Sequence, residues 1–389
     1  MVKTFRLDIC LVEEQFEMVQ YVEKGRKPRW GYFPKEGHPQ VVTRFDGTKI
    51  TPGFLQAIAY EVYVKNVTFC LLHQWLGDMG MTVSENTLRN WLKKGRKYLD
   101  RMVLELKRIA LEKDAVVNCD ETWCKVRKYD RYKKCYMWVL VNKAERVVIF
   151  FYEDGSRGRD VLTNFLGDAE LKALMSDGYN AYVFIGDGLK THRYKDTDHQ
   201  VCLAHVRAKF VKARMEGGDK RADVFLDNIN RLFRFEREYD REMITDGERT
   251  RRRQGLPTME AMINLRANLL QELKSEEEQK SCYMREALNY LHKFWNEAFT
   301  YIKDGRYPIS NNLAERAVRP FTTKRKNSLH FGSDEGAEIA AVYHSIISTV
   351  KLQGRSAWGY LGKFFTGIFN GCRDFLSLTP QNIDLAVCQ

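Results

Sequence analysis

Three apolar runs rich in β-branched and aromatic residues follow one another after Asp114. They read AVVNCDETWCKV, CYMWVLVN and RVVIFFYE, and the link between the second and the third is short enough for a hairpin. Three consecutive antiparallel strands are therefore predicted. The chain continues with a predicted helix in GRDVLTNFL, a strand in KALMSDGYNAY, and a strand that turns into a helix in HQVCLAHVRAKF. A mixed sheet with both antiparallel and parallel strands accommodates this order.

Three antiparallel strands followed by alternating helices and strands are typical of an α/β fold with a ribonuclease H-like core. Residues 213–305 are charged and helical in pattern, which predicts a large all-helical insertion. Helices are also predicted from residue 51, where a short turn between two of them suggests a helix-turn-helix-like DNA-binding region; a plain helical hairpin fits equally. The predicted segments are an irregular N-terminal arm (1–50), the helix-turn-helix-like region (51–112), the N-terminal half of the core (113–212), the insertion (213–305), the C-terminal half of the core with the glutamate helix (306–350) and a C-terminal helical tail (351–389).

The formal net charge of +12 over 389 residues favours an anionic partner, most often nucleic acid. A basic but otherwise ordinary enzyme is the alternative. Clusters such as KKGRKYLDR, TRRRQ and TTKRKN favour DNA, because phosphate contact needs local groups of cations. No apolar run is long enough to span a membrane, no signal-peptide pattern opens the chain, and the nine cysteines form no CxxC pair. A reducing cytoplasm is the expected location.

Two aspartates at predicted strands are candidates for one metal site. Asp120 lies within an apolar strand, where a carboxylate has to be paired or to bind a metal; a hydrogen-bonded strand-end residue is the alternative. Asp177 ends a strand and precedes glycine, so it is also a common turn residue. Because the two strands are neighbours in the predicted core, the carboxylates are predicted to share a hard cation such as Mg²⁺. Two such ions about 4 Å apart suit phosphodiester displacement.

The stretch YPISNNLAERAVRP places one carboxylate, Glu315, among basic residues. Ser310 or Asn311 is the predicted N-cap of a helix that is predicted to end at Pro320. A surface ion pair between Glu315 and an arginine one turn later is one interpretation. The other is a metal-binding glutamate whose neighbouring arginines meet phosphate. The polar stripe of this helix contains, at helical spacing, Asn312, Glu315, Arg316 and Arg319.

The motif HQVCLAHVRAKF offers His199, Cys202 and His205 at three-residue steps. Zinc binding is one interpretation, but a fourth ligand is not evident and a strand-to-helix geometry is expected to scatter these side chains. The preferred interpretation is that His205, Arg207 and Lys209 face the phosphate of a substrate. A histidine whose hydrogen bonds are satisfied within the core is the alternative for His205.

Several motifs together resemble the insertion sequence 66 family of bacterial transposases. They are CDETW, SDGYNAY, CLAHVRAKF and SNNLAERAVRPFTTKRKN with FGSDEGAEIAAVYHSIISTVKLQG, of which the last block is the most specific. The helical segment from residue 51 is similar to the one that precedes the catalytic domain of that family. The CLAHVRAKF block resembles a cysteine/histidine motif that lies near the active site in several DDE families. The resemblance covers roughly residues 50–370.

The resemblance implies a DDE transposase with Asp120, Asp177 and Glu315 as its acidic triad and two Mg²⁺ or Mn²⁺ ions as cofactors. Such an enzyme cleaves double-stranded DNA at transposon ends and joins the 3′-hydroxyls to target DNA. Residues 84–96 are expected to read a transposon end, and a homodimer or larger synaptic complex is expected in a bacterial, nucleoid-associated cytoplasm. The residues expected to hold the DNA backbone are Arg316, Arg319, Lys324, Arg325 and Lys326.

Two other functions fit the same motifs. One is a structure-specific nuclease of the same fold that performs no strand transfer. The other is a non-catalytic DNA-binding remnant that regulates a full-length transposase. The second is considered because members of the family usually carry a cysteine-rich, zinc-binding N-terminal segment, whereas the first 50 residues here contain only Cys10. A short or diverged N-terminus is therefore expected.

Overall fold

A pair of antiparallel strands and three helices form the first described elements of the chain. The computed structural model describes residues 50–275 and 280–384, together with residues 11, 18–22, 25, 27, 29–32 and 48. Most of the predicted N-terminal arm therefore lies outside the described residues. The first elements are β1 (Met18–Tyr21), β2 (Arg29–Tyr32), α1 (Pro52–Tyr63), α2 (Phe69–Asp78) and α3 (Glu85–Ala110).

A five-stranded sheet lies within one of two compact units, Val103–Gly354, called the sheet unit here. The order across the sheet is β5-β4-β3-β6-β7, in which β3, β4 and β5 are antiparallel and β6 and β7 run parallel to β3. The predicted mixed α/β sheet is confirmed. The strands and the helix between them are β3 (Val116–Lys128), β4 (Arg131–Asn142), β5 (Val147–Phe151), α4 (Arg159–Leu166), β6 (Ala173–Ser176) and β7 (Asp198–Val201).

Six helices follow β7, and most of them form the predicted helical insertion. They are α5 (Leu203–Met215), α6 (Ala222–Glu242), α7 (Asp246–Arg253), α8 (Leu256–Lys274), α9 (Cys282–Lys293) and α10 (Trp295–Phe299). Phe210 of α5 stacks on Phe225 of α6 with ring centroids 4.4 Å apart. The buried Arg253 pairs with Glu236 and also donates hydrogen bonds to the backbone carbonyls of residues 301, 304 and 307. These bonds attach the insertion to the segment that returns to the sheet.

Two helices return to the sheet after the insertion, α11 (Asn312–Ser328) and α12 (Asp334–Leu352). Helix α12 covers the edge strand β5. The backbone amides of Val148 and Phe150 donate hydrogen bonds to the hydroxyls of Thr349 and Ser345, at 3.0 and 2.8 Å. Exposed amides at a sheet edge invite pairing with another chain, and these two hydroxyls satisfy them.

Three sequence-based boundaries are wrong. The stretches TVSENTLRNWLKKG and RKYLDRMVLELKRIALEK predict two successive helices, but the structure has the single helix α3 (Glu85–Ala110), because one glycine inside a helix costs only about 1 kcal/mol and does not end it. Helix α11 continues through Pro320 to Ser328, since Val318 and Phe321 on either side of the proline are both buried against the sheet. The sequence pattern places RKYDRYKK outside the first two strands, as the segment that joins them, but in the structure it is the paired tip of the β3–β4 hairpin.

The other compact unit, called the terminal unit here, consists of Met1–Met102 and Arg355–Gln389. Its last helix, α13 (Ala357–Phe369), packs on α1. The side-chain amide of Gln56 donates a 2.8 Å hydrogen bond to the carbonyl of Trp358, and a Cβ on Gly362 would lie only 2.8 Å from Gln56. Helix α1 and helix α13, which are about 300 positions apart in the sequence, therefore pack within one unit.

Ser84 caps the N-terminus of helix α3. The hydroxyl of Ser84 accepts a 3.1 Å hydrogen bond from the backbone amide of Thr87, which is an N-cap interaction. Leu88, Trp91 and Leu92 are all buried on one face of the helix. Among the described residues, no helix combines the length and the apolar character needed to cross a membrane.

Candidate active site

Asp120 and Asp177 lie at equivalent positions on two neighbouring parallel strands. The last paired residues of β3 and β6 are Asn118 and Met175, and each aspartate lies two positions beyond this pair. Asp120 remains in β3, opposite Val139 of β4, whereas Asp177 directly follows the last residue of β6. Side chains two residues apart along a strand share a face. The strand register therefore places the two carboxylates on the same face of the sheet, just beyond the last paired residues of β3 and β6.

Glu315 is brought to these strands by the residue that precedes α11. Asn311 is fully buried, and its side chain accepts a 2.9 Å hydrogen bond from the amide of Asn118. It also donates a 2.8 Å hydrogen bond to the carbonyl of Cys119. The backbone amide of Asn311 donates to the sulfur of Cys202 at 3.0 Å. The N-terminus of the glutamate helix is thus attached both to β3 and to the start of α5.

Burial of one face of α11 fixes the direction of this helix. Ala314, Val318 and Phe321 pack into an apolar cluster with residues of β3, β4 and β5. These positions recur at helical spacing, which leaves Glu315 half-buried at the side of the buried face. The aromatic ring of Phe321 stacks on Phe150 with centroids 6.1 Å apart. One face of this helix therefore packs against the sheet.

The charges of the other predicted acids act on Asp120. Burial first, and then the nearby charges of Glu121, Asp177 and Glu315, together raise the pKa of Asp120 to about 8. A hydrogen bond from the backbone amide of Glu121, at 2.9 Å, opposes this increase. A bound cation would favour the ionised carboxylates, because it neutralises the like charges that repel one another. An all-oxygen donor set is also the one that Mg²⁺ and Mn²⁺ prefer, so these residues fit a hard divalent cation.

Glu121 is a fourth acid at this edge that the sequence interpretation did not include. Its side chain is 2% exposed and forms a 2.6 Å ion pair with Arg157. The hydroxyl of Tyr182 donates a second hydrogen bond to it, also at 2.6 Å. Burial raises the pKa of Glu121, whereas these two partners lower it. Glu121 therefore forms structural contacts with Arg157 and Tyr182. Its role could have been inferred from the sequence, because alternation along β3 places Glu121 on the face opposite to Asp120.

Cys202 and His205 lie at the start of α5 and are not scattered. Their ligand atoms and a carboxylate oxygen of Glu315 all lie within 4.8 Å of one another, and His205 Nδ1 is 3.8 Å from Glu315 Oε1. The expected scattering is wrong for this pair, because positions i and i+3 of one helical turn share a side. His199 is not part of this group: its Nε2 lies 3.0 Å from the hydroxyl of Ser176, and both residues are buried.

Arg207 and Lys209 contact the helical insertion. Arg207 donates a 2.6 Å hydrogen bond to Asn230, and Lys209 forms a 2.6 Å ion pair with Glu286. The insertion also reaches the loop after β6. The hydroxyl of Tyr290 in α9 accepts a 3.0 Å hydrogen bond from the backbone amide of Gly178, the residue after Asp177. The insertion therefore supports the segment that carries the second aspartate.

The predicted substrate-binding residues of α11 differ in their exposure. Asn312, Arg316, Arg319 and Lys326 are exposed on the helix that carries Glu315. Arg325 is half-buried, stacks over Trp123 at 3.9 Å and donates a hydrogen bond to the carbonyl of the same residue at 2.6 Å. Lys324 is only 6% exposed, and burial lowers its pKa to about 7. The structure therefore groups Lys324 with the apolar face of the helix.

The β3–β4 hairpin carries a face on which aromatic and basic side chains alternate. The register pairs Trp123 with Tyr136, Lys125 with Lys134, and Arg127 with Tyr132. Directly opposed residues point to the same side of a sheet, so the six side chains share one face. Five of them are exposed, and Tyr136 is partly exposed beneath the guanidinium of Arg157, 5.0 Å from its ring. This hairpin face consists of Trp123, Lys125, Arg127, Tyr132, Lys134 and Tyr136.

The fold and the site together define the class of protein. It is a mixed α/β protein with several carboxylates near one edge of the sheet and exposed cations on the adjoining helix. The chain matches the model of the IS66 family of transposases over residues 47–339. The chain therefore belongs to the IS66 transposase family, as its motifs indicated.

Three curated proteins of Sinorhizobium fredii are similar to this chain, and all three are described as uncharacterized. Protein y4jD is 25% identical over 344 residues, which cover 84% of this chain and 64% of the relative. Protein y4qI is 27% identical over 239 residues, covering 61% of this chain and 43% of the relative. Protein y4hP is 25% identical over 252 residues, covering 60% of this chain and 44% of the relative. The chain thus spans less than two thirds of the length of each relative.

Proposed function

We propose that this chain is a DDE transposase whose sheet unit is a ribonuclease H-like core. The observation that carries the proposal is the electrostatic coupling of three acids that are far apart in sequence. Besides burial and the charge of Glu121, the charges of Asp177 and Glu315 raise the pKa of Asp120, so the three carboxylates share one environment. Membership of a transposase family and the β5-β4-β3-β6-β7 strand order support the same assignment.

In this proposal Asp120, Asp177 and Glu315 would hold two Mg²⁺ or Mn²⁺ ions. When bound, such ions activate the attacking oxygen and stabilise the leaving oxygen of a phosphodiester. The chain supplies the ligands and holds them in place through Asn311 and the packing of α11. The reaction is cleavage at transposon ends followed by joining of the 3′-hydroxyls to target DNA, without a covalent enzyme intermediate.

Exposed cations next to the acids provide the proposed DNA-binding surface. Arg316, Arg319 and Lys326 project from the helix that carries Glu315. The hairpin face adds cations for phosphates and aromatic rings on which bases can stack. Lys324 is omitted from this surface because its side chain is buried. DNA is therefore expected to contact the exposed cations of α11 and to continue onto the hairpin face, which lies on the opposite side of the sheet and meets α11 where Arg325 stacks over Trp123.

Other aspects of the proposal concern the whole complex. Residues 84–96 at the start of α3 would read a transposon end in the manner of a helix-turn-helix. A homodimer or larger assembly would hold two ends together in a synaptic complex. Because DNA is the proposed substrate, the protein would act in the cytoplasm of a bacterium, associated with the nucleoid.

Substitution of the three acids tests the proposal. Asp120→Asn, Asp177→Asn and Glu315→Gln are each expected to abolish metal-dependent cleavage of transposon-end DNA, because each removes a ligand. DNA binding, measured by fluorescence anisotropy, is expected to persist in all three. The matched control is Glu121→Gln, which alters the adjacent carboxylate that is bound to Arg157 and Tyr182. This variant is expected to retain metal-dependent cleavage.

The products of the reaction separate the rival functions. Incubation of pre-cleaved transposon ends with plasmid is expected to give joined DNA. Cleavage without joined product would identify a nuclease of the same fold. If the unaltered chain binds DNA but does not cleave it with any divalent cation tested, it is a non-catalytic DNA-binding protein. Near-normal cleavage by one of the three variants would remove that residue from the triad.

A further inference from the structure

A second group of potential metal ligands meets at Glu315. The sulfur of Cys202, a ring nitrogen of His205 and an oxygen of Glu315 all lie within 4.8 Å of one another. In a tetrahedral zinc site, bonds of about 2.0–2.3 Å place neighbouring ligand atoms roughly 3.3–3.8 Å apart. The distance from His205 Nδ1 to Glu315 Oε1, 3.8 Å, is already in this range. Only small side-chain movements are needed to enclose an ion.

The histidine nitrogen in this group has no other role within the described residues of the chain. His205 Nδ1 is buried and has no hydrogen-bond partner among them. A buried polar atom left without a partner destabilises the folded chain. Coordination of a cation would satisfy this nitrogen.

The environment of the sulfur also suits a metal-bound thiolate. Cys202 Sγ accepts a 3.0 Å hydrogen bond from the backbone amide of Asn311. Donors of this kind around a ligand atom orient it and stabilise its negative charge when a metal is bound.

We propose that Cys202, His205 and Glu315 form a zinc site that is distinct in its chemistry from the site of the three acids. One thiolate, one imidazole and one carboxylate select Zn²⁺ over Mg²⁺, because soft ligands favour zinc and Mg²⁺ requires oxygen. Three protein ligands leave the fourth position of the ion open. The two sites share Glu315. If the proposed function is correct, Zn²⁺ therefore withdraws Glu315 from the catalytic ions and inhibits cleavage.

Titration of the metal-free full chain with Co²⁺, without DNA or Mg²⁺, tests the site independently of the proposed function. Co²⁺ occupies zinc sites, and a cysteine ligand gives it a near-ultraviolet sulfur-to-cobalt charge-transfer band. We expect one equivalent of Co²⁺ to give this band and Zn²⁺ to displace it. Cys202→Ser is expected to lose the band, because a serine oxygen cannot produce it. The exposed Cys282 provides the matched control, and Cys282→Ser is expected to keep the band.

The remaining ligands are tested by His205→Asn and Glu315→Gln. Each is expected to weaken Co²⁺ binding by roughly tenfold or more, since even outer-shell changes have effects of that size. If Cys202→Ser fails to fold, as judged by circular dichroism, these two variants decide the question. Absence of the band in the unaltered chain, its persistence in a folded Cys202→Ser variant, or unchanged affinity in both other variants would overturn the site. Loss of cleavage activity alone would bear only on the proposed function.

Discussion

The side chain of Asn118 on β3 donates a 2.9 Å hydrogen bond to the side chain of Asn311, 193 positions later. This bond joins the strand that carries Asp120 to the helix that carries Glu315. The amide of Asn311 in turn donates to the carbonyl of Cys119, so both ends of its side chain are occupied. The separation of the first and the third acid is therefore set by a pair of buried amides that carry no charge.

Asn311→Ala is expected to damage the site without removing a ligand. The substitution leaves the amide of Asn118 and the carbonyl of Cys119 without partners, at a cost of about 1–3 kcal/mol in the free energy of unfolding. Cleavage is expected to fall at least about tenfold because Glu315 is no longer fixed. DNA affinity is expected to remain unchanged. The exposed neighbour provides a control, and Asn312→Ala is expected to change the free energy of unfolding by less than about 0.5 kcal/mol. Equal effects of the two substitutions would contradict the role of Asn311.

Neutralising the hairpin face is expected to weaken DNA binding through phosphate contacts. The triple variant Lys125→Gln, Arg127→Gln and Lys134→Gln should lower the slope of log affinity against log salt by about three, because each lost contact contributes roughly 0.9. Affinity is measured by anisotropy at several salt concentrations. The control removes three exposed charges from the insertion, with Arg234, Arg237 and Arg241 each changed to Gln. A slope that changes equally in both would indicate a general charge effect and no specific surface.

The buried Lys324 predicts a pH-dependent stability. Its pKa falls from 10.5 to about 7 on folding, so between these values the unfolded chain binds more protons than the folded one. Stability therefore rises with pH through this window, and the full penalty applies at and below pH 7. Lys324→Met is expected to raise the free energy of unfolding at pH 7 by an amount on the order of a few kcal/mol. The gain is expected to shrink towards pH 10.

Denaturant unfolding of the unaltered protein and of the Lys324→Met variant at pH 6, 8 and 10 measures the difference in their free energies of unfolding. Lys326→Met, at an exposed position of the same helix, serves as the control and should give no such trend. A gain that does not change with pH would show that Lys324 retains its usual pKa in the folded chain.

Gly178→Ala is expected to displace the loop that carries Asp177. A Cβ at this position would lie 2.6 Å from the hydroxyl of Tyr290 and 2.7 Å from the ring of Phe294. Both contacts are too short, so either the loop or α9 has to move, at a cost of about 1–3 kcal/mol. Thermal unfolding and cleavage are expected to report the loss together. Gly188→Ala is the control, because its nearest neighbour would lie at an ordinary 3.6 Å. Normal cleavage by Gly178→Ala would show that the loop tolerates the shift.

The sheet and the positions of the acids could be predicted because they depend on local patterns. Apolar β-branched runs identified all three antiparallel strands, and the order of elements indicated that β3 and β6 are neighbours. The apolar spacing of Leu313, Ala314, Ala317 and Val318 predicts the buried face of α11, and all four pack into the apolar cluster of the sheet. The burial of Lys324 was not predicted, because the helix was expected to end at Pro320. The compact basic cluster around Lys324 was misleading.

Contacts between distant segments could not be predicted in this way. Nothing in the local sequence of Asn311 indicates that its side chain meets Asn118, because such a pair depends on the return of the chain after the insertion. The same holds for Cys202, which reaches Glu315 only once the start of α5 lies beside the start of α11. The ion pair of Glu121 with Arg157 likewise joins a strand to a loop 36 positions away.

The bond between Asn118 and Asn311 also has a consequence for synthesis. A ribosome adds roughly 5–20 residues per second, so about 7–28 s separate the emergence of Asp177 from that of Glu315. During this interval the nascent chain already presents two of the three acids, while the β3 amide that will hold the third has no partner. Any translation product that stops before residue 311 lacks both the glutamate and its anchor. Incomplete chains are therefore expected to be harmless to the DNA around them.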